Sequence, residues 1–324
     1  MLSPEPTDFG ICVITGAWDD LPALLTRLGY PYRTLGDSLA VCQDPAALQG
    51  CRALYIACGA ECEMTDMAAY HIGQFVERGG GLYVSDLAAP VIERIFPGLI
   101  TFSKLDYRSD NPVRVLDPAL AARLGHTITL HMDYQSSQGI QATAAGVEVL
   151  LQGKRQDFDE REYPYLVTFR RGQGQVLYTV FHNAYQINET EARLLHYLVM
   201  RPLLTAELAR AHQVITARQS AARPEMALFE AIGSAGPDRP AETYTLRFER
   251  PGRARIGVVW PGRASFAVKV TGPNGQRVTY YSSDDCPLAF DFSASKAGEY
   301  TCEVQGIHLA VPYHPYVFSA AAPP

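Results

Sequence analysis

The hydrophobic rhythm of the chain changes near residue 240, and the change predicts two kinds of structure. Before it, short apolar runs alternate with stretches whose apolar residues recur every three or four positions. Residues 9–15 (FGICVIT) read as a buried parallel strand that stops at Gly16. Leu21, Leu24, Leu25 and Leu28 make a helical stripe closed by Gly29. Residues 53–57 (ALYIA) are a second strand, running into Cys58-Gly59, and Met64, Met67, Ala68, Ile72, Phe75 and Val76 mark a second helix. A third strand, 82–84, follows three glycines. Residues 127–132, 147–151 and 165–169 also read as strands, and a turn at 171–174 leads into another, GQVLYTVFHN. A helix comes next, with Asn188 as N-cap, Glu191 three residues on, and Leu194, Leu195, Leu198 and Val199 along one face. Such alternation implies βαβ units: an α/β, flavodoxin-like, mostly parallel sheet with helices on both faces, spanning residues 1–203.

Residues 204–240, rich in Ala, Arg and Gln, read as a helical linker running to about Pro224 and then a turn-rich run, SAGPDRPAE. From Glu242 the period is two: Tyr244, Leu246 and Phe248 alternate, as do Ile256, Val258 and Trp260, then Leu288, Phe290 and Phe292, then Tyr300, Cys302 and Val304. Pro273-Asn274-Gly275 is a hairpin signal. About seven short strands at this spacing predict an all-β sandwich over residues 241–324.

A chain of 324 residues, 47% hydrophobic and 19% charged, has enough apolar material for two cored domains. The net charge of -6 argues against nucleic acid or an anionic membrane as partner, which leaves another protein or a small-molecule ligand. No basic, then apolar, leader opens the sequence, no apolar run approaches the ~20 residues that span a bilayer, and seven cysteines form no even framework. The expectation is a cytoplasmic protein with its cysteines reduced.

Three places resemble the class I glutamine amidotransferase-like fold, in its trehalose-utilisation (ThuA-like) branch: ALYIACG, FVERGGGLYVSDLAAP and GQGQVLYTVFHNAY. The first stands where the family has an oxyanion turn, the second where it has the nucleophile elbow, and the third ends in the family's histidine, here His182. The resemblance covers about the first 200 residues. Catalytic members carry a cysteine at the elbow, activated by a histidine that a carboxylate orients. Here the elbow offers Ser85 flanked by Asp86, and His182 is followed by Asn183-Ala184 in place of a proline and a glutamate. That departure speaks against glutaminase activity. TGPNGQRV and SASKAGEYTCEVQG resemble the pre-peptidase C-terminal type of β-sandwich, usually an accessory domain.

The candidate site residues are therefore Ser85 and Cys58 as nucleophiles, His182 as base, and Gly59, Asp86 and Asn183 as ligand contacts. Each has a plainer alternative. Ser85 and Asp86 suit a tight turn and a helix N-cap, Cys58 a buried small side chain, and His182 a histidine bonded to backbone. Cys58 and Cys62 do not have zinc-knuckle spacing, and His131 and Asp133 share a strand face that His126 does not, so neither metal nor cofactor is expected. The acidic run 157–162 reads as a solvated loop, and Cys286 and Cys302 as neighbours across strands that stay unbridged. The resulting expectation is a non-catalytic amidotransferase-like module, used with its sandwich for protein assembly or ligand sensing. The alternative is a hydrolase of an amide, ester or glycan-derived substrate using Ser85 or Cys58 with His182.

Overall fold

The computed structural model describes residues 8–105, 109–132, 137–155, 160–182, 189–216, 227–237, 239–282, 286–309 and 311–322. It divides into two units, Phe9–Thr205 and Ala206–Pro324. In chain order the first contains β1 Ile11–Ile14, α1 Leu21–Arg27, β2 Arg33–Gly36, β3 Ala53–Ile56, α2 Asp66–Glu77, β4 Gly81–Ser85, α3 Ala89–Ile95, β5 Ile100–Leu105, β6 Ser109–Val115, α4 Pro118–Leu124, β7 Thr127–Met132, β8 Ser137–Thr143, β9 Val147–Lys154, β10 Glu162–Arg171, β11 Gly174–Thr179 and α5 Glu189–Leu203.

Nine of these strands form one sheet in the order β2-β1-β3-β4-β11-β10-β9-β6-β7. The run β2-β1-β3-β4-β11 is parallel, and from β11 to β7 every pairing is antiparallel. Read by position, the parallel run is the 2-1-3-4-5 order of a flavodoxin-like sheet, whose ligands bind beyond the carboxyl ends of the strands. Every residue of β1, β3, β4 and β11 is buried. Strands covered on both faces read as unbroken apolar runs, which is why these stand out in the sequence.

Helix α1 starts where the Asp20 side chain accepts the N–H of Ala23, and α2 where Thr65 accepts that of Ala68. Tyr55 of β3 donates to the Val199 carbonyl of α5 at 2.5 Å, tying that helix to the centre of the sheet. Strands β5 and β8 pair apart from the main sheet. Asn188, expected as the cap of α5, lies outside the described residues.

Cys12 on β1 and Cys51 just before β3 form a disulfide, with Cα atoms 5.9 Å apart. This corrects the expectation of wholly reduced cysteines: parallel neighbours β1 and β3 bring together two residues whose spacing of 39 along the chain gives no hint of it. Disulfides persist in oxidising compartments, so this pair does not favour the cytoplasm. Cys286 and Cys302 are both free, as expected.

The second unit opens with α6 Thr205–Thr216 and continues with β12 Ala227–Ala235, β13 Ala241–Phe248, β14 Gly252–Val259, β15 Ala264–Thr271, β16 Arg277–Tyr281, β17 Leu288–Ala294, β18 Gly298–Leu309 and β19 His314–Ala322. Two four-stranded antiparallel sheets, β12-β19-β14-β17 and β13-β18-β15-β16, enclose one core. Trp260, Phe266, Tyr316 and Phe318 fill it, each burial worth roughly 1.5–3 kcal/mol. The span read as a helical linker is partly sandwich. Strand β12 pairs along its length with β19, and Val214 and Ile215 of α6 lie against Gly257 of β14. Its Ala, Gly and Ser content hid the strand. The hairpin at Pro273-Asn274-Gly275 joins β15 to β16, with Gly275 at φ 77°.

Candidate functional site

The carboxyl ends of β1, β3, β4 and β11 converge, and three polar side chains meet there. Cys58 follows β3, Asp86 follows β4 and His182 follows β11. The imidazole Nε2 of His182 lies 3.0 Å from Cys58 Sγ and 2.8 Å from Asp86 Oδ2. Cys58 Sγ lies 3.7 Å from the same carboxylate oxygen. All three side chains are buried, Cys58 and Asp86 completely and His182 to 3% exposure. They are the one cluster of three or more potential metal-ligating side chains found among the described residues.

The elbow is real but sits one residue later than its sequence suggests. Asp86 has φ 44°, and among the described residues no other non-glycine has positive φ. A side chain is held in that region only when its surroundings over-determine it. Those surroundings are visible. Asp86 Oδ1 accepts the backbone N–H of Gln138 at 2.6 Å, and the Tyr178 hydroxyl shares its proton between the carbonyls of Asp86 at 3.0 Å and Gln138 at 2.7 Å. Asp86 is therefore no helix N-cap, because its carboxylate is spent on β8, Cys58 and His182. Burial, and then the Asp86 carboxylate, hold the Tyr178 phenol protonated well above its ordinary range. Replacing Tyr178 by Phe removes one donor shared by the Asp86 carbonyl, which keeps the Ala89 N–H, and the half-buried Gln138 carbonyl; it is expected to lower stability by about 1 kcal/mol, read from the urea midpoint.

Ser85, offered as a nucleophile, is positioned for a different task. Its hydroxyl donates to Asp19 Oδ2 at 3.3 Å and accepts the backbone N–H of Cys58 at 2.9 Å. It pins the turn after β3 to the turn after β1, makes no hydrogen bond to His182, and caps no helix. Gly59, offered as a ligand contact, has φ 82° and lets that turn press against Ala17 and Trp18, where a Cβ would fall 2.4 Å from the indole. Cys62 donates to the Ala60 carbonyl at 3.2 Å and stands apart from the cluster. Asn183 and Asp133 lie outside the described residues. His131 pairs with Asp110 at 2.5 Å on an exposed face of β7.

The Cys58 thiol is held above its ordinary range by burial first and by the Asp86 carboxylate second; the backbone N–H of Leu87 opposes them. Asp19, Gln138 and Tyr178 escaped the sequence reading. Asp19 alone carried a usable signal, as an acid a few residues beyond a buried strand in TGAWDD.

No family model matches the chain, and no curated protein matches it. Among solved structures it is similar to a ThuA-like protein from Bacteroides uniformis, at 13% identity over 62% of this chain and 97% of that one, with a TM-score of 0.46. It is similar to a GMP synthase component from Thermoplasma acidophilum, at 14% identity over 62% and 96%, with a TM-score of 0.45. It is also similar to the pre-peptidase C-terminal domain of a Bacillus anthracis collagenase, at 15% identity over 30% and 97%, with a TM-score of 0.25. From likenesses of this kind no activity follows. No helix among the described residues is long and apolar enough to cross a membrane.

Proposed function

We propose that the first unit is a non-catalytic, ligand-sensing module on an amidotransferase-like fold, with the sandwich as its accessory in assembly. One observation carries this reading: the elbow presents a carboxylate, and that carboxylate lies on the same imidazole nitrogen that faces the thiol. A thiol nucleophile must hand its proton to a free Nε2, while the orienting carboxylate binds the opposite ring nitrogen. Here Asp86 Oδ2, at 2.8 Å, takes the Nε2–H, which leaves that nitrogen no lone pair to receive the Cys58 proton. Complete burial and a thiol held protonated point the same way. In the second unit, the buried His314 has its Nε2 on the Pro261 carbonyl, a bond that serves packing.

The 3.0 Å approach of Cys58 to His182 favours a second reading, a cysteine hydrolase. There the Sγ would attack an acyl carbon, its proton would pass to Nε2 and on to the departing amine or alcohol as the C–N or C–O bond breaks, and water would then release the acyl group from sulfur as the acid. The readings separate in an assay of the full chain with glutamine and with a p-nitrophenyl ester, beside Cys58→Ala and His182→Ala. Rates indistinguishable from both variants are expected. A rate that falls in both variants overturns the sensing reading and establishes the hydrolase.

A further inference from the structure

We propose that Cys58 Sγ, Asp86 Oδ2 and His182 Nε2 together bind one divalent transition-metal ion of zinc type. This rests on the sensing reading of the same site and names the ligand. The three atoms come from the ends of three different strands and form a triangle with sides of 2.8, 3.0 and 3.7 Å. A point about 1.9 Å from every corner lies in the plane of that triangle, so an ion with bonds of about 2.0–2.3 Å sits just above it. Tetrahedral bonds of that length separate their donors by about 3.3–3.6 Å, so the two short edges need open by only about half an ångström. The S···O edge already has the required length.

The chemistry of the donors selects the ion. Thiolate, imidazole and carboxylate are the zinc-type set, whereas calcium and magnesium take mostly oxygen. Charge agrees: a thiolate and a carboxylate neutralise a dication while the imidazole stays neutral, which gives an uncharged centre suited to complete burial. Among the described residues no lysine or arginine lies within ion-pair distance of Asp86, so no side-chain cation of that kind competes for the place of the ion.

The surroundings hold the donors as outer partners of a metal site do. The N–H of Gln138 fixes the far oxygen of Asp86. The Ser85 hydroxyl anchors the Cys58 backbone. The elbow strain at Asp86 also finds a use, since φ 44° is what turns its carboxylate towards the other two donors. Binding breaks the S–H bond and sends its proton to the buffer. Three coordinate bonds form and no electron is transferred. With three protein donors, a tetrahedral ion keeps a fourth position for water or a bound anion, which is how the centre would report a ligand.

The test uses the full chain, stripped with a chelator and titrated with cobalt(II), then with zinc(II) in competition. One equivalent of cobalt is expected, with thiolate-to-metal charge transfer in the near ultraviolet and the intense visible bands of a four-coordinate ion, all displaced by zinc. Zinc should raise the melting temperature of the native chain. Cys58→Ser, Asp86→Asn and His182→Gln should each weaken binding by at least about tenfold, since loss of an outer partner alone costs that much. Cys62→Ser and His131→Gln should bind as the native chain does. A native chain that gives no charge-transfer band, or binds cobalt with the same affinity after Asp86→Asn, overturns the proposal, and the first of these outcomes needs no variant to fold. Failure of the sensing reading looks different: turnover by zinc-loaded protein would make the centre catalytic while leaving the metal in place.

Discussion

Gly16→Ala is expected to destabilise the first unit by about 3 kcal/mol and to scatter the candidate site. The new Cβ would fall 2.1 Å from the carbonyl oxygen of Cys58, 2.7 Å from its carbon and 2.8 Å from the amide nitrogen of Ala60. All three are backbone atoms, so no rotamer relieves the clash. The turns after β1 and β3 have to separate by about an ångström or more, which breaks the bonds from Ala17 and Trp18 to the carbonyls of Gly59 and Cys58. The Cys58 sulfur moves with its backbone, away from His182. Gly50→Ala is the comparison, because Gly50 has φ 76° and a Cβ there would meet no atom within 4 Å; it should lose only the left-handed backbone cost of about 1 kcal/mol. In a Trp260→Phe background, Trp18 fluorescence during urea unfolding reads both variants. A Gly16→Ala midpoint equal to that of Gly50→Ala would mean that the two turns do not approach this closely.

The same crowding explains which parts of the molecule its sequence discloses. Strands β1, β3, β4 and β11 are buried on both faces, so nothing polar interrupts them and their ends can be read. Cys58, Ser85 and His182 are legible because each stands at such an end. Edge strand β2, mostly exposed, has no apolar pattern to read. Strand β6 contains Pro112, which removes a ladder donor and argues against any strand. The role of Asp86 was hidden for another reason. An aspartate after a strand and before a helix reads as a cap, and only its backbone angle redirects the carboxylate into the site. Gln138 and Tyr178, which hold it there, approach from β8 and β11, 52 and 92 residues away along the chain. Contacts of that range leave no trace in local periodicity.

Acid is expected to weaken the second unit over a defined range, through His314. Burial lowers its pKa from 6.5 to about 4. The ring is completely buried, edge-on to Phe266, with Nε2–H donating to the Pro261 carbonyl at 2.8 Å. A group whose folded pKa is depressed binds its proton more readily when unfolded, so stability rises with pH between the two values. Above about pH 6.5 the contribution is fully present, and it is lost as pH falls towards about 4. A difference of this size amounts to about 3 kcal/mol, a large part of what holds a small domain together. His314→Gln retains an N–H donor but cannot titrate. Its own stability is lower at neutral pH, yet its loss between about pH 6.5 and 4 should be shallower than the native loss by about that amount. The chain has two tryptophans, so in a Trp18→Phe background Trp260, whose ring centroid is 4.9 Å from that of Phe266, reports this unit alone. Parallel pH profiles for the two proteins would show that His314 titrates alike in the folded and unfolded chains.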